Sequence, residues 1–300
     1  MKIFKSSHLY ATITVIFWAL GYVLTGVLLR HFSATGLAFL RFMLASFVLF
    51  IVVIVLKIPP PKKNDIPLFI YSGLCGFTLY MLAFNLGNVM VSTATGSILV
   101  ATAPIWAAVL AVIIYHEKLT KLQILSIVVE FAGILTLTLN EDGFSLNMGV
   151  LWLLLAAFVL SFFNLLQRRL TKEYTGLQTS IYSIFCGTAL LAVFLPTSIP
   201  QLFTASTEEL ILLGVLAVFP SSLAYICWSK AFEFAQSTTQ VTNYMFVTPL
   251  IATFFSFLIN NEIPDPRSII GGLIILSGLI LFYRSGAKKP VEDEDSQAVD

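Results

Sequence analysis

Apolar residues along this chain neither alternate nor recur at every third or fourth position; they run on for about twenty residues at a time between short polar breaks. The runs fall at 9–29, 34–56, 66–87, 93–115, 121–139, 148–167, 176–196, 209–229, 237–259 and 268–283. Each is too long for a strand and long enough for a helix that crosses a bilayer, so the pattern predicts ten spanning helices. The first run follows Lys2 and Lys5 as a secretory signal would, yet no small-x-small cleavage site follows before Arg30, and it is read as a span. Turn chemistry marks several breaks: Pro59-Pro60-Pro61, Asn140-Glu141-Asp142-Gly143, and Pro196 through Pro200.

Composition agrees with a lipid solvent. The 300 residues are 58% hydrophobic and 11% charged, with a mean hydropathy of +0.91, against about 45–50% and 25% in soluble domains. Ten spans leave no room for a soluble nucleotide-binding domain, so no ATPase subunit is implied. A net charge of +1 gives no basic surface for nucleic acid. Cys75, Cys186 and Cys227 all lie in apolar runs and form neither a disulfide framework nor a metal pattern; no metal or cofactor is expected.

Charge position carries more than charge total. With the N-terminus inside, fourteen of the seventeen basic residues fall in inner segments, and only Arg30 and Arg267 fall outside. Both termini are therefore expected in the cytoplasm of a multi-pass protein of the plasma (inner) membrane. Residues 285–300, with Glu292 to Asp295, read as a solvated, disordered acidic tail.

The second half of the chain repeats the first. Residues 92–138 align without a gap on 237–283 at an offset of 145: Ser92-Thr93 on Ser237-Thr238, Ser97 on Thr242, Pro104 on Pro249, Glu117 on Glu262 and Gly133 on Gly278, with Tyr80 on Tyr225 upstream. Five helices are an odd number, so the copies, 9–139 and 148–284, enter the membrane from opposite sides. Inverted repeats of this kind mark transporters that open a shared site to either face. The tract Ser92-Thr-Ala-Thr-Gly-Ser, Pro104, Glu117-Lys-Leu-Thr and Gly133, repeated from Ser237, resembles the paired EamA repeats of the drug/metabolite transporter superfamily. Trp18 with Gly21, and Arg41-Phe42, fit the same pattern. The resemblance implies a central cavity among helices 1–4 and 6–9, helices 5 and 10 packed behind, and export of amino acids, nucleobase-like metabolites or drugs.

Only Arg41 and Glu130 are charged within the spans, and such a charge costs at least roughly 2.5–3.5 kcal/mol. Arg41 either attracts an anionic group such as a carboxylate or clamps helix-end carbonyls or Glu130. Glu130 is a candidate proton carrier for coupling, against which stands its place on a helix that the resemblance puts at the back. Pro104 and Pro249 each withhold the N–H that would reach Val100 and Met245, which makes matched hinges or static kinks. Pro220 predicts a bend in helix 8; its repeat mate, Cys75, predicts none in helix 3. Trp18, Tyr22, Tyr80, Asn164, Tyr225, Gln240, Asn243 and Tyr244 are candidates for lining an amphipathic pocket, with Ser97 either lining it or packing. Trp152 and Trp228 read as interfacial, and Glu117 and Glu262 as structural, beside N-caps at Thr120 and Asp265.

No catalytic set appears at membrane depth. His116-Glu117 lacks the second histidine of a zinc protease motif, no aspartate lies in a span, and His8, His31 and His116 sit at span edges. The expectation is a secondary-active or facilitative transporter, monomer or weak dimer, moving small amphipathic metabolites such as amino acids. A multidrug or nucleobase efflux carrier is the alternative within the class, an intramembrane enzyme the one outside it.

Overall fold

In the computed structural model, residues 6–115, 120–138, 147–235, 241–261, 263–264 and 266–286 are described, and all their regular structure is helical. The helical runs are α1 (Ser7–Leu28), α2 (Ala34–Leu56), α3 (Lys63–Asn88), α4 in two pieces (Thr93–Val100 and Ala103–Tyr115), α5 (Lys121–Thr138), α6 (Met148–Leu170), α7 (Gly176–Thr204), α8 (Thr207–Glu233), α9 (Thr248–Asn260) and α10 (Pro266–Gly286). Six of them, α1, α2, α3, α6, α7 and α8, are long and apolar enough to cross a membrane.

Local sequence explains where these runs begin and end. Ser33, Ser92, Asn147, Thr175 and Ser206 each accept a first-turn backbone N–H, and Thr120 forms a reciprocal box with Gln123. Lys57 and Asn261 end α2 and α9 in the left-handed conformation, at φ of 50° and 53°. Two boundaries differ from the sequence reading. The Pro196–Pro200 stretch is helical rather than a break: a 3-10 turn at Ala192–Phe194 restarts the helix, and Pro196 falls in its first turn, where a missing N–H costs nothing. Helix α10 runs to Gly286, two residues into the segment read as tail.

Packing repeats as the sequence does. Helix α1 packs on α8 and α9 while α6 packs on α3 and α4; α3 meets α7 while α8 meets α2; and the pairs α2–α7, α4–α9 and α5–α10 close on themselves. Adding five to a helix number thus returns the same contact. Matching the caps Ser33 and Thr175, each after a five-residue link (29–33, 171–175), sets an offset of 142 for the first two helices of each half. The offset becomes 145 from α3 onward, where π-helical turns occupy Leu74–Leu79 and Phe219–Leu223.

Those two turns have different causes. In α8, Pro220 frees the Leu216 carbonyl, and Ser221 Oγ donates to it at 2.7 Å; Ser222 Oγ does the same to Ala217 at 2.8 Å. In α3 no proline falls at the turn: Pro67 lies in the first turn of its α-helical stretch, and the π-turn at Leu74–Leu79 is an irregularity that Cys75 did not announce. There Gly73 and Gly187 let α3 and α7 touch backbone to backbone, since a Cβ on Gly73 would lie 2.6 Å from the Gly187 nitrogen. Thr78 Oγ1 then donates to the Gly187 carbonyl at 3.2 Å. The α5–α10 pair is equally close: a Cβ on Gly133 would meet Ile275 at 2.6 Å, and one on Gly278 would meet Glu130 Cγ at 2.7 Å.

Candidate functional site

Helices α4 and α9 both break just before their prolines. In α4, Ala101 and Thr102 form a turn ahead of Pro104; ahead of Pro249 runs a 3-10 turn, Asn243–Val247. Between the breaks lies a cavity lined by both halves of the chain. Its walls come from α1 (Trp18, Gly21, Tyr22), α2 (Arg41), α3 (Tyr80, Met81, Phe84), α4 (Ser97, Val100, Ala101), α6 (Leu160), α8 (Pro220, Tyr225) and the start of α9 (Met245, Thr248). Among the described residues, neither α5 nor α10 contributes.

Arg41 is the charged group in this wall. Only 3% exposed, its Nε donates to Ser221 Oγ at 2.8 Å and a terminal nitrogen to Thr25 Oγ1 at 3.5 Å, and its guanidinium carbon lies 5.3 Å from the Phe42 ring. Ser221 lies in the π-turn of α8, which carries it to Arg41. Ion pairs among the described residues are His31–Glu209 at 3.6 Å and Lys62–Glu173 at 3.4 Å, so no described carboxylate pairs with Arg41. Trp18 Nε1 and Thr248 Oγ1, also in the wall, are buried without a hydrogen-bond partner.

The cavity lies toward the end of the bundle that holds links 29–33 and 89–92, and aromatic rings close it on the other side. Trp18 packs tilted against Trp228 at 4.8 Å and edge-on to Tyr225 at 5.2 Å; Phe77 meets Tyr225 at 4.7 Å and Phe163 at 5.3 Å, both edge-on. Beyond the rings, Gln167 Nε2 donates to Ser72 at 3.3 Å, Ser229 to Gln167 Oε1 at 2.7 Å and Ser183 to Ser72 at 2.8 Å, while Ser180 and Ser229 share a 2.6 Å bond. This far end is tied at its rim, where Tyr174 donates to Asp65 and Lys62 reaches Glu173. Burial first, and the bond to Asp65 next, hold the Tyr174 hydroxyl above the ordinary phenol range.

Of the residues singled out in the sequence, Trp18, Tyr22, Arg41, Tyr80, Ser97 and Tyr225 come together in the cavity wall. Asn164 does not; fully buried, it accepts a 3.1 Å bond from Trp228 Nε1. Trp228 is therefore a core residue, not an interfacial one, because Asn164 supplies the acceptor its indole needs. Tyr244 sits away from the cavity, its hydroxyl 2.6 Å from His8 Nδ1. Gln240 and the side chain of Asn243 lie outside the described residues, as do Glu117, Glu262 and Asp265. Glu130 lines a separate crevice with Thr102, Ile105, Trp106, Val109, Ile127 and Phe131; one carboxyl oxygen is buried without a partner, and Arg41 does not reach it. Thr25, Ser221 and Thr248 escaped the sequence reading. Their signal was the Pro220-Ser221-Ser222 run and the residue before Pro249, hydroxyls beside freed carbonyls.

Comparison with known proteins agrees with this architecture. The EamA-like transporter family matches residues 5–139 and again 147–284. The chain is 29% identical to an "Uncharacterized transporter YdfC" of Bacillus subtilis, over 85% of this chain and 83% of that one. It is 28% identical to a "Probable terminal-alkyne amino-acid exporter" of Streptantibioticus cattleyicolor, over 91% of each, and 25% identical to an "S-adenosylmethionine uptake transporter" of Rickettsia prowazekii, over 87% and 86%. A solved crystal structure shares the fold with a TM-score of 0.60 at 15% identity, covering 92% of this chain and 95% of the other. The chain belongs to the EamA-like transporter family, and it is a multi-pass membrane transporter.

Proposed function

We propose that the protein is a ten-span carrier of two inverted five-helix repeats, 9–139 and 148–284, with both termini cytoplasmic, which moves small amphipathic metabolites by alternating access and exports amino acids across the plasma membrane. The observation that carries this reading is the cavity itself. It lies where the broken helices of both halves meet, and five rings (Trp18, Tyr22, Tyr80, Phe84, Tyr225) surround a few polar groups. Broken helices at membrane depth are tolerated where they line a cavity. The paired breaks before Pro104 and Pro249 serve as hinges in this reading, and Ser97 and Tyr80 as contacts for the cargo. Similarity to a protein named as an amino-acid exporter, over 91% of both chains, supports the cargo class and the direction.

Purified protein in liposomes tests it. Radiolabelled amino acids loaded inside should leave faster than from empty-vesicle controls, and a cold amino acid outside should accelerate exchange. If neither amino acids, nucleobases nor cationic drugs move above background, the carrier reading fails.

A further inference from the structure

We propose that Arg41 and Trp18 together hold a carboxylate, so that the cargo is an acid with an apolar or aromatic body. This rests on the carrier reading and narrows it. An arginine buried to 97% in an apolar bundle must be repaid by an anion or by a full set of acceptors. The protein supplies neither among its described residues. Two hydroxyls, Ser221 at 2.8 Å and Thr25 at 3.5 Å, engage two of the five guanidinium N–H groups, and no carboxylate lies within 4.0 Å. Glu130, the other charge inside the bundle, faces a different crevice.

The second observation is independent of the first. Trp18 Nε1 is a donor with no acceptor, buried in the wall of the same cavity. A buried N–H left unpaired carries its full desolvation cost, and the fold does supply acceptors to such groups: the indole of Trp228, in the ring cluster next to it, has Asn164 as its acceptor at 3.1 Å. A cation and an unpaired donor in one cavity wall both ask for an acceptor, and a carboxylate offers two oxygens with four lone-pair sites. The remaining orphan in the wall, the Thr248 hydroxyl, can accept as well as donate, which leaves room for an α-amino group without requiring one.

The other half of the molecule argues that Arg41 is not there for packing. Under the cap-matched offset of 142, Arg41 corresponds to Ser183 and Thr25 to Gln167. Those mates are neutral and bonded into the network through Ser72. The fold therefore builds this corner without a charge, and the charge in the first half answers something brought from outside.

Thermal unfolding of the detergent-purified protein tests the proposal on a matched panel: phenylalanine, leucine and methionine; their decarboxylated amines; and 3-phenylpropionate, which keeps the carboxylate and drops the amine. At least one amino acid should raise the unfolding temperature and its amine should not. Stabilisation by 3-phenylpropionate as well would assign the site to carboxylates at large; stabilisation by the amino acid alone would add the Thr248 corner to recognition. For the stabilising acid, Arg41→Gln and Trp18→Phe should each weaken binding, the arginine variant by about tenfold to a hundredfold. If no acid stabilises, or the amines stabilise equally, the proposal is overturned on the parent protein without need of any variant. Transport of a carboxylate-free cargo in liposomes would sink the carboxylate site while leaving the carrier reading intact.

Discussion

The two halves of this molecule solve the same corner in opposite ways. In the first, α1, α2 and α8 bring Thr25, Arg41 and Ser221 to the edge of an open cavity. In the second, the equivalent α6, α7 and α3 bring Gln167, Ser183 and Ser72 together, and Ser229 and Ser180 seal the set. One corner is charged and open, the other neutral and closed. The main helix pairs are otherwise exchanged between the halves, so the difference lies in these corners rather than in the fold. In the proposed carrier, near-equivalent halves take two arrangements of similar free energy, and a hydrogen-bonded seal opposite a cavity fits one of them.

Repeat mates make the comparison breakable. Gln167→Leu should have the largest effect, since it strips bonds from Ser72 and Ser229 in a fully buried site; a loss of about 2–3 kcal/mol in thermal unfolding is expected. Its mate change, Thr25→Val, removes only a 3.5 Å acceptor and should cost under about 1 kcal/mol; equal losses would refute the asymmetry. Gly76→Ala comes next. A Cβ there would lie 2.3 Å from the Phe163 ring, so overpacking of about 1–3 kcal/mol should loosen the closed end.

Glu130 and its mate Ile275 sharpen the picture further. Each covers the facing glycine of the α5–α10 pair, Gly278 and Gly133, so packing needs no carboxyl. Glu130→Gln should fold at least as stably as the parent, and transport down a cargo gradient should persist. A loss confined to transport against a proton gradient would assign Glu130 the coupling role proposed for it from sequence. The smallest effect belongs to the exposed Lys62–Glu173 pair: Lys62→Ala should change stability by less than about 1 kcal/mol.

Much of this was legible in the residues. Apolar run lengths marked the helices, and the proline-to-glycine spacing, with Tyr80 and Tyr225, exposed the duplication. Midplane aromatics, Ser97 and Arg41 named six of the fifteen residues of the cavity wall, most of its polar and aromatic part. What stayed hidden depends on contacts between distant segments. The π-turn at Leu74–Leu79 has no proline to announce it and arises from the meeting of Gly73 with Gly187. Trp228 sits near a run's end in sequence but is buried because Asn164, 64 residues away, offers an acceptor. The helix around Pro196 and Pro200 was masked by its prolines: Pro196 falls in a first turn, and Pro200 lies inside the helix, where it withholds only the N–H that would reach the Pro196 carbonyl.

The central claim is that the two corners open alternately, and Ser97 and Thr242 are the repeat mates that test it most directly. In a background with Cys75, Cys186 and Cys227 replaced, Ser97→Cys and Thr242→Cys can be labelled separately with a membrane-impermeant thiol reagent applied to either face. The account predicts that the thiol at 97 reacts from the outer face and the one at 242 from the cytoplasmic face. Any cargo or condition that raises one rate should lower the other. Rates that rise and fall together, or a thiol at 242 that reacts from the outer face, would contradict it.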